Sequence, residues 1–236
     1  MENPMSVSPM FVSLTTPQLK SLWPRAAGAV INGTVAAWPD VARAYGLNTS
    51  LRAAHFWGQI TWECGGGTEL RENGHYTAAG ILKVFGIGVH SAKVTEVEAR
   101  DLAAKAVIDG GRALFNRVYG TGNPKMAAQL GNIGPDDGWL FRGAGALNTT
   151  GRSAFTRIGK LIGHDLIADP DLVDDPGVAL WMGAAEYVDL GCLKFADADD
   201  THTETVHING GVNGLNGRSD LIARWKALFV GEMADT

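Results

Sequence analysis

Cysteine is nearly missing from this chain of 236 residues: only Cys64 and Cys192 occur. Two cysteines allow at most one bridge, so a disulfide framework is excluded and both are expected as buried reduced thiols. Basic charge is also scarce. Lys and Arg total 20 against 25 Asp and Glu, a net charge of −5, and no basic run occurs. The electrostatic footprint of a nucleic-acid binder is therefore missing, and so is a long-range pull towards anionic membranes. No apolar run approaches the ~18 residues that a membrane span needs, which excludes stable membrane insertion. The opening MENPMSVSPMFVSLTT has Glu2, no basic n-region and no continuous apolar core. It does not read as a secretory signal peptide, so action outside the cytoplasm is expected to need another route of release. His55, His75, His90, His164, His202 and His207 show no HExxH or other zinc spacing, and neither a metal nor a cofactor is expected. No Ser sits in G-x-S-x-G, Cys64 has no identifiable His partner, and Asp197–Asp200 lacks the Gly and Glu of a calcium loop.

What is abundant is glycine, 31 residues of it, at the ends of helical patterns. Thr15-Thr16-Pro17 reads as a helix start after a loose leader at 1–13. A second helix is expected over 27–45, broken near its middle by Pro39. Gly46 to Ser50 stops it and caps a third helix at 51–63. Short helices follow at AAGILKVF after Tyr76-Thr77, from Thr95 to Gly110-Gly111, and from Arg112 to Tyr119. Residues 120–138 read as a surface loop or flap, and Trp139-Leu140-Phe141 leads into RGAGALNTTGR, which reads as a short strand or hairpin arm. Helices return at 152–161, 177–190, 200–208 and 218–230. No repeat or linker divides the chain, so residues 1–236 read as a single, mainly α catalytic domain without a separate wall-binding module.

Chemistry concentrates in three places. The first is FWGQITWECGGGTELRENGHY, residues 56–76, where an apolar helix ends at Glu63 and stops on three glycines, with Glu69 and Glu72 beyond. Glycosidic hydrolysis needs one protonated carboxyl to donate to the leaving oxygen and one ionised carboxylate to activate water or attack the sugar. The apolar neighbours Phe56, Ile60 and Trp62 would raise the pKa of Glu63 by desolvation. Set against this, glutamate is common on helix surfaces, and three in such a window is no signature. The second place is Trp139 to Arg152, where small residues admit a polymer and Asn148, Thr149 and Thr150 offer hydrogen bonds; a tight hairpin reads equally well. The third is Ile208-Asn209-Gly210-Gly211-Val212-Asn213-Gly214, for which a plain turn is the simpler reading.

Taken in order, these segments resemble glycoside hydrolase family 19, most closely the compact branch of bacteriophage endolysins and small chitinase-like enzymes. The residues that carry the likeness are Gln59 to Gly67, Glu72-Asn73-Gly74-His75-Tyr76-Thr77, Phe141 to Arg152, Ile208-Asn209-Gly210-Gly211, and Arg218. The resemblance implies a lysozyme-like, two-lobed helical domain with a substrate cleft and little or no β-hairpin. It implies Glu63 as general acid, Glu72 as general base, and Thr150 helping to hold the water. Tyr76, Asn209 and Arg218 would line the cleft or tie its acids together, and Gln59, Arg142, Asn148 and Arg152 would bind substrate beside them. Glu69 falls at no matching position. Inversion would separate the two carboxyls by roughly 6.5–9.5 Å. The chain departs from the family pattern at Trp62, where His is usual, at Ala144, where a second Arg is common, and at Asn148 and Thr149.

The expected function is then that of a phage-type lysozyme. It would hydrolyse β-1,4 bonds of peptidoglycan glycan strands as a monomer, held in the host cytoplasm until a holin releases it to the periplasm and wall. The alternatives are a chitinase acting on N-acetylglucosamine polymers and a catalytically weakened glycan-binding phage component.

Overall fold

The computed structural model describes residues 12–231, and the leader expected at 1–13 lies mostly outside them. The described residues form thirteen α-helices, with no sheet and only three isolated β-bridges. They fall into two compact units, Met1–Thr68 with Asp175–Thr236, and Glu69–Asp174. No helix is long and apolar enough to cross a membrane among the described residues.

The first unit holds α1 (Thr16–Leu22), α2 (Gly28–Ala44) and α3 (Ser50–Glu63), then α10 to α13 from the chain's end. A capping box at Thr15, with Gln18 reaching back, starts α1. Thr49 caps α3 by accepting from the Arg52 amide. Every residue of α3 from Ala53 to Thr61 is buried, so this helix forms the unit's centre rather than one amphipathic wall. Trp23, Trp38, Phe56 and Trp225 pack around Trp57, with ring centroids 5.0–5.8 Å from it. Pro39 does not break α2. It lies on the exposed face, where water can satisfy the carbonyl that loses its partner, and the helix runs through it.

Helix α13 (Leu215–Gly231) lies against α3 at close range. A Cβ built on Gly58 would sit 2.3 Å from Ile222 Cγ1 and 2.9 Å from its backbone nitrogen. Gly58→Ala is therefore expected to destabilise the protein by about 1–3 kcal/mol through overpacking. Urea unfolding checks this, and an unchanged midpoint would contradict the packing.

The second unit holds α4 (Ala78–Phe85), α5 (Glu96–Asp109), α6 (Arg112–Val118), α7 (Pro124–Leu130), α8 (Asp137–Leu140), α9 (Arg152–Ile162) and a 3-10 turn at Pro170–Asp174. Its core joins Ile81, Phe85, Val94, Leu102, Leu114, Phe115 and Val118. Two sequence expectations are corrected here. The stretch 120–138 is not one continuous loop: Pro124 opens α7, Asn123 stands at its N-cap, and Gly131 closes it with φ +69°, with turns on either side. The residues that signal a loop are here the punctuation of a short helix. Likewise the segment 142–151 after α8 forms no strand or hairpin ladder: Ala144 makes only single bridges to Arg71 and Thr149.

The first unit resumes with α10 (Pro176–Asp189), α11 (Leu193–Asp197) and α12 (Thr201–Asn209). Cys64 and Cys192 are free and buried, as expected of thiols kept reduced. Burial pushes both up to about 12, so neither is a reactive thiolate at neutral pH.

Candidate active site

Glu63 is the last residue of α3, at the negative end of the helix macrodipole. Its surroundings are not the apolar wall that its neighbours suggest. Phe56 and Ile60 turn into the core, while Glu63 Oε1 accepts from Arg218 Nη2 at 2.5 Å. Gln59, one turn earlier on the same face, accepts from Arg218 Nη1 at 2.7 Å. Arg218 is 1% exposed, and its third bond goes to the Asn213 carbonyl. The guanidinium is thus fixed by one carboxylate, one amide and one backbone oxygen, and it orients Glu63 in turn.

The glycines before Arg218 have a steric reason. The Trp62 ring lies across Gly214 and Gly217, and a Cβ on either would come within 2.3 Å of the ring. The tryptophan that departs from the family pattern is therefore seated on two residues of the Asn-Gly turn and its continuation. The three-glycine stop after Glu63 is also packed rather than loose. All three glycines have positive φ, the Gly67 amide donates to Cys64 Sγ, and Gly67 sits against the Trp23 ring.

Behind Arg218 runs a buried polar chain that the sequence did not reveal. Gln59 Nε2 donates to Glu204 Oε2 at 2.8 Å, and the same oxygen pairs with His55 Nδ1 at 2.8 Å. His55 Nε2 reaches Asp199, which also binds Lys226, and Tyr187 donates to Glu204. Burial opposes a charged His55, but the bonds and charges of Glu204 and Asp199 outweigh it and raise its pKa. With a carboxylate on each ring nitrogen, the imidazolium is the form that satisfies both.

Glu72 belongs to the other unit and has a different environment. Its amide donates to the Gly143 carbonyl at 2.7 Å, and the Gly145 amide to the Leu70 carbonyl at 2.9 Å. This short pairing explains the Arg142-Gly143-Ala144-Gly145 block: it holds the segment 70–72 by main-chain bonds. Side-chain room is absent there, since a Cβ on Gly143 would meet Asn148 Oδ1 at 2.1 Å. The Glu72 carboxyl accepts from Tyr119 Oη at 3.1 Å and from the Gly143 amide at 3.3 Å. Burial raises its pKa to about 7, against the opposing pull of Tyr119, Gly143 and Arg142. Glu69 is exposed and acts on Glu72 only as a nearby like charge.

The other candidates sort by what they touch. Tyr76 is half-buried, edge-on to Phe85, with its pKa raised by burial and by the charges of Glu72 and Glu69. Arg142 donates to the Glu72 and Trp139 carbonyls and lies 3.6 Å over the Trp139 ring. Asn148 is exposed with φ +57°, and its carbonyl accepts from the Thr150 hydroxyl at 3.0 Å. Asn209 is exposed within its own turn, bonded to the Asn213 carbonyl and the Gly211 amide.

Two expectations of substrate contact need correction. Gln59 is fully buried with both polar atoms engaged by protein, so it positions Arg218 rather than touching a glycan. Arg152 forms a two-bond ion pair with buried Asp137, whose pKa Arg152 pulls down to about 2, and lies over Phe141. That guanidinium anchors the start of α9. Tyr119, Gly143, Glu204 and His55 are the contributors missed from sequence. Only Tyr119 gave a signal, as a tyrosine ending a short helix; the rest depend on contacts between distant segments.

No family model matches the chain. A curated relative, a glycosyl hydrolase family 19 domain-containing protein of Haemophilus influenzae, is 27% identical over 192 residues, covering 78% of this chain and 82% of that protein. In structure the chain is similar to chitinase C from Streptomyces griseus, with TM-score 0.57, 14% identity, and coverage of 94% of this chain and 78% of that one. It is also similar to a bacterial family 19 chitinase, with TM-score 0.51, 17% identity, and coverage of 91% and 94%. The helical fold expected from the motifs is the one found. Sequence and fold likeness point the same way: the chain is similar in sequence to a glycosyl hydrolase family 19 domain-containing protein, and its fold is that of bacterial chitinases.

Proposed function

We propose that this enzyme hydrolyses β-1,4 bonds of bacterial peptidoglycan with inversion, as an endolysin does. Glu63 gives its proton to the leaving oxygen, and Glu72 takes one from the attacking water. The observation that carries this reading is the unlike setting of the two carboxyls. One is held on an arginine at a helix end, and the other is buried with a pKa near neutrality. Two acids with separate environments are what separate acid and base roles require. Thr150 is proposed to assist at the water, and Tyr76, Arg142, Asn148 and Asn209 to meet the glycan. Release from the host cytoplasm through a holin, as a monomer, belongs to the same proposal.

Chitin is the second reading, favoured by the chitinase architecture. Purified enzyme should clear outer-membrane-stripped cells and release muropeptides, whereas action on chitin oligomers alone would overturn the peptidoglycan reading. Mass spectrometry of the new reducing ends then identifies the sugar cleaved.

A further inference from the structure

A pocket of about 400 Å³ that the mechanism does not use opens against Trp62, the residue before Glu63. Arg25, Arg224 and Trp62 line it together with Leu22, Pro24 and Leu221, and the backbone of Gly65 and Gly66 closes it. All belong to the first unit. Its two arginines differ from most of the others. Arg43, Arg52, Arg71, Arg100, Arg112, Arg117, Arg152 and Arg218 each have a carboxylate partner. Arg25 and Arg224 have no ion-pair or hydrogen-bond partner among the described residues, although the protein carries more acids than bases. Thr61, the pocket's hydroxyl, is already engaged, accepting from Trp23 Nε1 at 2.8 Å and from Trp225 Nε1 at 3.1 Å. The polar capacity facing the pocket is therefore cationic.

The third wall is aromatic. Trp62 is 40% exposed although its ring rests on Gly214 and Gly217, so one part is fixed and another is offered to solvent. It is also the residue directly before Glu63. A rigid indole beside two guanidinia without a partner among the described residues suits a ligand with a flat apolar sugar face and a carboxylate. Guanidinium forks match carboxylates in shape as well as charge.

We propose that this pocket holds a carboxylate carried on the glycan next to the bond being cut, and so selects acidic glycans over neutral chitin. The inference rests on the peptidoglycan reading above. Two sources share the chemistry: the lactyl carboxyl of muramic acid, and the carboxylates of a stem peptide attached there.

The test separates the sources and stands apart from activity. Glu63→Gln enzyme labelled with 15N is titrated with N-acetylmuramic acid, with a muramoyl peptide whose lactyl carboxyl is blocked, and with N-acetylglucosamine, following the Trp62 indole N–H. At least one acidic sugar should bind ten or more times more tightly than the neutral one. The added change Arg25→Gln with Arg224→Gln should remove that advantage, and salt should weaken it. Both arginines are exposed, so the variant should melt as the parent does. In the active enzyme, the pair should lower the ratio of kcat/KM on peptidoglycan to that on chitin oligosaccharide about tenfold. Equal binding of acidic and neutral sugars, or an advantage that survives the double change, overturns the pocket. A wild type that leaves peptidoglycan intact overturns the parent reading instead, and the binding titration still decides the pocket.

Discussion

Glu63→Gln is expected to lower kcat on a polymeric substrate by about 10²–10⁴-fold, the usual worth of a positioned general acid. Glutamine keeps an oxygen for Arg218 Nη2 but has no proton to give. The fold should survive, with a stability loss of about 1–3 kcal/mol, because Arg218 keeps Gln59 and the Asn213 carbonyl. The role shows in the choice of leaving group. An activated aryl glycoside departs without protonation, so the variant should recover most of its rate on such a substrate. A loss equally deep on aryl and sugar leaving groups would remove Glu63 from the acid's role. Arg218→Ala should lose activity as well, but with a larger drop in thermal stability. It leaves Gln59 and Glu63 without their shared donor in a buried place.

The second large effect concerns Glu72 and carries a sign in pH. As a base it must be ionised, and its pKa lies at about 7. For the free enzyme, kcat/KM should therefore fall tenfold per pH unit below about 7 and level off above it. Were Glu72 the acid, the same pKa would give a rate that falls as pH rises, so the slope alone distinguishes the roles. Tyr119→Phe removes a bond that favours the carboxylate. It should move the limb to higher pH, by up to about one unit for a neutral hydroxyl bond. Glu72→Ala should lose about 10²–10⁴-fold, and azide, which attacks without surrendering a proton, should restore turnover as the inverted glycosyl azide. If azide does nothing and the pH limb stays in place, Glu72 is not the base.

The same raised pKa has a cost in stability. The folded state holds the Glu72 proton more tightly than the unfolded chain does. Stability from this group is therefore lost as pH rises from about 4.5 to 7, on the order of 3 kcal/mol. Tyr119, the Gly143 amide and Arg142 each limit that loss by favouring the ionised form. The carboxyl is thus buried far enough to be a useful base and bonded enough to ionise near neutral pH.

Local chemistry makes much of this protein's secondary structure legible in its sequence. The capping threonines at 15, 49, 77 and 95 announce their helices, and the helix they cap begins at the next residue. That is short-range physics: a hydroxyl accepting from an amide two or three residues on. The resemblance, not local chemistry, singles out Glu63 and Glu72 rather than the exposed Glu69 as the expected acids. Where punctuation is ambiguous the local rules failed. Asn123-Pro124 and Gly131 start and stop a helix as readily as they make a loop, and only packing of α7 against its neighbours decides between them.

The stretch around Glu63 shows the division most clearly. Its sequence determined a helix, a stop and a carboxyl at the edge, because spacing and glycine act within a few residues. Only the tertiary structure decided what that carboxyl meets. Arg218 lies 155 positions away, and Glu204 behind Gln59 is 145 away. The same holds for the hydroxyl that reaches Glu72 across 47 positions. A pKa is set by burial and by partners, and neither is a property of neighbours along the chain.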